Sequence, residues 1–112
     1  MKYALLIYDS PEGWQGLSED EQKSVYDEYF AASQAPGVYG GVQLQPVETA
    51  TTVRGGDGEP LVTDGPFAEA KEFFGGIYLL EADNLDQALE LAKRIPATRM
   101  GGGVEVRPVV ER

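Results

Sequence analysis

With 112 residues, 42% of them hydrophobic, the chain has enough apolar material for one domain core and too little length for two. It has no cysteine and no histidine, which removes disulfide frameworks, thiolate and His₃ zinc sites, iron–sulfur clusters and every nucleophile that an imidazole activates. The net charge of −10 repels phosphate backbones and anionic membranes, so neither nucleic acid nor a membrane is expected as a partner.

Any acid–base chemistry therefore falls to Asp, Glu, Tyr or Lys, to a bound cofactor or to a hard cation. The N-terminal apolar run, residues 3–8, is far too short for a signal segment or a membrane span, and Asp9 and Glu12 follow it directly. A cytoplasmic protein with a single domain over residues 1–112 is expected.

Residues 2–8 are aliphatic and aromatic and read as the first strand, closed by the turn formers Asp9, Ser10 and Pro11. Residues 12–17 read as a loop that holds the only tryptophan, Trp14. Ser18 starts a helix. Glu21 three residues on completes a capping box, and Glu19 and Asp20 suit the positive end of the helix dipole. Val25, Tyr26, Tyr29, Phe30 and Ser33 fall on one helical face, and Pro36–Gly37 ends the element.

Residues 38–45 and 49–54 read as strands parted by Pro46. Residues 55–58, Gly-Gly-Asp-Gly, form a hairpin turn into a short returning strand at 59–63. Residues 73–82 give the strongest strand signal. Asn84 caps a second helix, with Gln87 placed for another capping box and Leu85, Ala88, Leu89, Ala92 and Ile95 on its inner face. Pro96 closes it, and residues 104–110 make the last strand.

This order predicts an α+β, ferredoxin-like βαββαβ domain with an antiparallel sheet and two helices on one face. Residues 3–8 and 77–80 are apolar at successive positions, so both faces of their strands call for burial. Two helices cover one face only, and a second copy packed sheet to sheet is the simplest cover for the other. A homodimer is expected.

The segment Thr63-Asp64-Gly65-Pro66-Phe67-Ala68-Glu69-Ala70-Lys71-Glu72 closely resembles the signature of the YCII-related, or DGPF, family of small bacterial proteins. The resemblance extends to the opening KYALLIY, TATTVR at 49–54, Gly75-Gly76, Arg94-Ile95-Pro96-Ala97 and VEVRP at 104–108. Ala70 departs from it, standing where the usual motif has threonine. The resemblance implies a ferredoxin-like fold that dimerises as a dimeric α+β barrel, with a cleft near the DGPF turn. Relatives in the superfamily include small-molecule enzymes of the muconolactone isomerase kind, and a His–Asp pair has been proposed for YCII-type proteins. That pair cannot be intact in a chain without histidine. The resemblance also implies an alternative role, as a regulatory module linked to an extracytoplasmic-function sigma factor.

Within this frame Asp64 has two readings. It can act as a general base whose pKa is raised by Phe67 and other apolar neighbours, or it can accept backbone N–H groups in an Asx-type turn around Gly65-Pro66. Arg54 and Arg107, on predicted strands, can clamp a substrate carboxylate bidentately or form cross-strand ion pairs. Phe67 is a wall or a core anchor, and Lys71 a cleft residue or half of a solvated pair. Tyr3, Tyr8 and Tyr78 are core tyrosines or pocket phenols, and Trp14 a lid or a dimer contact. The glycine-rich stretches precede strands rather than helices, so they are turns and not phosphate loops. No carboxylate spacing matches a calcium loop. The expected protein is thus a dimer that binds a small anionic molecule near Asp64, without cofactor or metal, and any catalysis is proton transfer.

Overall fold

Strict alternation in the first strand fixes the architecture. In the computed structural model, which describes residues 1–112, strand β1 (Lys2–Asp9) buries Tyr3, Leu5 and Ile7 to at most 5% exposure and leaves Ala4, Leu6 and Tyr8 half-exposed on the other side. Helix α1 (Pro11–Trp14) follows, then helix α2 (Glu19–Ser33) and strand β2 (Val38–Gln43). After a 3₁₀ turn at Val47–Thr49 come β3 (Thr51–Arg54), β4 (Leu61–Asp64) and β5 (Phe73–Glu81). Helix α3 (Leu85–Ala92), a second 3₁₀ turn at Pro96–Arg99 and β6 (Gly103–Pro108) complete the chain.

Strands β2, β5, β1 and β6 form one antiparallel sheet in that spatial order, with β3 and β4 as a separate two-stranded sheet. Both long helices lie on one face of the larger sheet. Ala32 of α2 and Ala88, Leu91 and Ala92 of α3 pack with Tyr3, Leu5, Ile7 and Leu80 into one core, joined by Ile95 and Ala97. The opposite face carries Ala4, Leu6, Tyr8, Ile77 and Leu79, all partly exposed.

Local sequence signals account for the helix starts. The Ser18 side chain accepts from the Glu21 amide while Glu21 returns a bond to the Ser18 amide, the reciprocal box its spacing predicts. Asn84 also caps its helix, but Gln87 reaches past it to the Asp83 amide, so the second box is displaced by one residue. Four expectations need correction. On α2 Tyr26 and Phe30 are 49% and 67% exposed, and the buried residues are Val25 and Ala32. Residues 11–14 form a helical turn where a loop was expected, because Pro11 suits the first helical position. The buried face of α3 is rotated, with Leu91 inside and Leu85 48% exposed. Ile95 lies beyond the helix and is fully buried all the same.

The β3–β4 hairpin stands apart from this core. Only Thr52 is buried in its eight strand residues, while Val53, Leu61 and Val62 are each about 60% exposed or more. With this arm extended, the radius of gyration is 15.8 Å and the molecule measures 46 × 44 × 18 Å. A compact chain of about this length has a radius near 13 Å, so the arm lies outside the globular part.

Candidate small-molecule site

The sheet alternation that buries Ile7 also turns Asp9 toward the helix side, at the carboxyl end of β1. There a β-bulge disturbs the pairing: Ile7 faces Gly76 and Tyr8 faces Phe74, so Gly75 is the extra residue. Glycine gives the Asp9 carboxylate room at that point. A Cβ built on Gly75 would sit 2.1 Å from Asp9 Oδ2, so only glycine leaves the carboxylate its place. The same logic holds at Gly41, where a Cβ would meet the Ile77 carbonyl at 2.8 Å and the Tyr78 ring at 3.0 Å. The glycines keep one wall of the site low.

Asp9 lines a cleft of about 620 Å³ between α2 and the β2–β5 side of the sheet. Six of the chain's eleven aromatic residues line it: Trp14, Tyr26, Tyr29, Phe30, Tyr39 and Tyr78. No lysine or arginine does. A second depression, lined also by Leu44, Pro46 and Phe74, shares Asp9, Trp14, Tyr26, Gln43 and Gly75 with the first, so these five residues stand between the two openings. The Trp14 and Tyr26 rings are stacked obliquely with centroids 5.3 Å apart, which ties α1 to α2 beside the carboxylate.

The polar groups of the cleft are few and unusual. Burial pushes the Asp9 carboxyl above its ordinary value. The Tyr29 hydroxyl and the Trp14 indole lie near enough to favour the anion and moderate the rise, although neither makes a hydrogen bond of regular geometry to it. The Tyr29 hydroxyl is buried without a hydrogen-bond partner. Its own ionisation is pushed far up, first by burial and next by the nearby Asp9 charge, so it stays protonated. Tyr78 donates 2.7 Å to the Tyr29 carbonyl and fixes α2 against β5, and burial also raises its phenol. An ion pair between Arg99 and Glu28 anchors the outer side of α2 to the second 3₁₀ turn.

A half-buried carboxylate beside an unpartnered phenol O–H can accept a proton at one atom and donate a hydrogen bond at another. This is the arrangement that general base chemistry needs, assembled without imidazole. The aromatic walls would bury the flat faces of a small organic molecule.

The residues singled out from the sequence lie elsewhere. Asp64 is exposed at the end of β4 and lines none of the larger cavities. The turn after it is closed by the Gly65 amide donating to the Ala50 carbonyl and by Thr52 Oγ1 donating 2.7 Å to the Gly65 carbonyl. Arg54 and Phe67 do meet. The guanidinium carbon stands 4.0 Å from the ring centroid, and Nη2 donates to the Phe67 carbonyl. Lys71 lines a separate, polar depression with Glu72, Glu28 and Arg99. Arg107 is exposed on β6, on the uncovered face of the sheet. Sequence reasoning treated Asp9 as a turn former. Its signal was the phase of β1, since position 9 continues the inward series 3, 5, 7 with an acid where an apolar residue is due.

Fold and cleft together define a small α+β protein with a helix-covered antiparallel sheet and an aromatic pocket with Asp9 in its lining. The chain belongs to the family of the YCII-related domain, whose model matches residues 1–112. It is 37% identical over 114 residues to the uncharacterized protein R00369 of Rhizobium meliloti (strain 1021), spanning 97% of this chain and 92% of that one. Among solved structures it is similar to 5-chloro-2-hydroxyhydroquinone dehydrochlorinase (TftG) from Burkholderia phenoliruptrix AC1100, in complex with 2,5-dihydroxybenzoquinone. The TM-score is 0.55 at 16% identity, with 100% of this chain and 96% of that chain covered. At that identity the likeness concerns the fold. No helix is long and apolar enough to cross a membrane.

Proposed function

We propose that this protein is a cofactor-independent enzyme that transfers a proton from a small ring-bearing organic molecule bound in the Asp9 cleft. The observation that carries the reading is the Asp9 carboxylate, half-buried in the lining of an aromatic cleft beside the unpartnered Tyr29 hydroxyl. Asp9 is the base. Tyr29 donates to the oxygen or ring position where negative charge develops, and the aromatic walls hold the ring of the bound molecule. The fold neighbour supports the choice of reaction class, since a dehydrochlorinase removes the elements of HCl from a hydroxylated ring.

The same reading takes the molecule as a ferredoxin-like domain in a dimeric α+β barrel, its uncovered sheet face closed by a second copy. Asp64 then serves as a turn residue of the arm, and Arg54 with Phe67 stiffens that arm. A chemical role for Asp64 would need a second copy to enclose it.

Trp14 is the only tryptophan and lies in the cleft, so its fluorescence reports occupancy. Hydroquinone, catechol and chlorohydroquinone serve as probes, with exchange of ring C–H for deuterium in D₂O followed by NMR. Quenching of Trp14 by at least one probe, and exchange that falls by roughly 10²–10⁴-fold in Asp9→Asn while quenching persists, is the expected result. Exchange that survives Asp9→Asn unchanged would remove Asp9 from the chemistry.

A further inference from the structure

We infer that the Asp9 cleft selects an organic ammonium ion, a ligand carrying a positive charge on nitrogen, over neutral and anionic molecules of the same shape. The inference rests on the reading of this cleft as the site and adds the charge of its occupant.

Three features of the lining point the same way. Trp14, Tyr26 and Tyr29 line the cleft together with its one charged group, Asp9, and an aromatic face attracts a cation through its negative quadrupole. No lysine or arginine side chain lines the cavity, so an anionic ligand would meet a carboxylate and ring faces with nothing to neutralise it. Two cationic side chains outside the lining have partners of their own: Arg99 is paired with Glu28, and Lys2 stands 5.7 Å from the centroid of the Tyr39 ring. That last contact shows a ring of the lining in reach of an ammonium group. The whole chain adds a field of the same sense, with a net charge of −10 that raises the local concentration of cations.

A neutral ligand could use the apolar walls equally well. It would gain neither the quadrupole attraction nor the pairing with Asp9. A cation gains both, and a positive charge on the ligand acidifies its neighbouring C–H and N–H bonds, which are the bonds a carboxylate base can deprotonate.

Three molecules of nearly one shape separate the possibilities: choline, its neutral isostere 3,3-dimethylbutan-1-ol, and the anion 3,3-dimethylbutanoate. Binding is followed by calorimetry and by Trp14 fluorescence at low salt. Choline binding about tenfold or more tighter than the alcohol, with no detectable binding of the anion, is expected. Asp9→Asn should cut choline affinity by roughly tenfold and leave that of the alcohol within twofold, and Trp14→Leu should weaken choline by more than it weakens the alcohol. The asparagine variant keeps the side-chain volume, so it reports on charge even if the tryptophan variant folds poorly. Choline no tighter than the alcohol overturns the inference, and so does choline affinity unmoved by Asp9→Asn. If that happens while the hydroquinone probes still quench Trp14, the proton-transfer reading stands and only the charge preference is lost. Failure of every probe in both experiments removes the cleft as a site and takes both readings with it.

Discussion

Asp9 and Tyr29 each carry a cost in the folded chain, and that cost has a measurable sign. Burial raises the Asp9 carboxyl above its ordinary 3.8, so the folded chain holds that proton more tightly than the unfolded chain does. The stability this group contributes is fully present below about pH 3.8 and is lost as pH rises through the raised folded value. Above that value the ionised carboxylate disfavours the fold. Tyr29 from α2 and the Trp14 indole from α1 only partly relieve it, and no cation faces it within the cleft. Asp9→Asn should therefore unfold at higher urea than the natural chain at pH 7, and the difference should shrink to nothing near pH 3.5. Urea midpoints between pH 3 and 7 test this, and a less stable variant at pH 7 would contradict it. Tyr29→Phe removes a buried hydroxyl that has no regular hydrogen bond, so where Asp9 is protonated it should be neutral or stabilising by up to about 1 kcal/mol; where Asp9 is ionised, part of that gain is lost with the relief the hydroxyl gives the carboxylate. The same substitution should slow any proton transfer. A stabilising change that lowers activity separates a functional side chain from a packing one.

Among the elements, those specified by neighbouring residues were legible in the sequence and those specified by distant ones were not. The Ser18–Glu21 box depends on four consecutive residues, and it formed as its spacing predicts. Ser18→Ala should cost about 1 kcal/mol in urea unfolding, without altering occupancy of the cleft. Residues 3–8 are apolar at every position and single out no buried face of β1; the fold turns Tyr3, Leu5 and Ile7 inward, and the next inward position is Asp9. What the pattern lacked was the partner strand. The bulge at Gly75 exists only in the pairing of β1 with β5, and it is that pairing that makes Gly75 the neighbour of Asp9. The DGPF stretch had the opposite fate: conspicuous as a motif, it forms an exposed arm whose apolar residues say nothing locally about what they face. Gly75→Ala tests the bulge directly. The added methyl must displace the carboxylate, so proton transfer should fall by at least tenfold while the Trp14–Tyr26 wall and its fluorescence response stay in place. Unchanged activity in Gly75→Ala would mean that the position of Asp9 is not critical.

At the scale of the whole molecule, one chain leaves too much apolar surface uncovered. Only 15 of 112 residues are buried, and both helices pack on the same side of the sheet. Leu6, Ile77 and Leu79 remain half-exposed on the other side, and Val42 and Phe74 are more exposed still. The arm has a related difficulty, since an isolated two-stranded hairpin in water is marginal at best and this one is exposed on both faces. A second copy answers both difficulties if its sheet covers the first sheet and its body supports the first arm, an arrangement with the self-complementarity of a two-fold axis. Sedimentation equilibrium should then give twice the chain mass at micromolar concentration, and the thermal midpoint should rise with concentration, as mass action requires. Leu6→Glu places a charge at the centre of the face without disturbing Leu5 or Ile7 beneath it, and should give monomers. Val62→Asp does the same on the arm, where Val53 and Val62 are paired across β3 and β4. If the sheet and the arm belong to one interface, the two substitutions will weaken the same association and their combined effect will be less than additive. A natural chain that sediments as a monomer, with a midpoint independent of concentration, would leave the exposed face and the arm to a different partner.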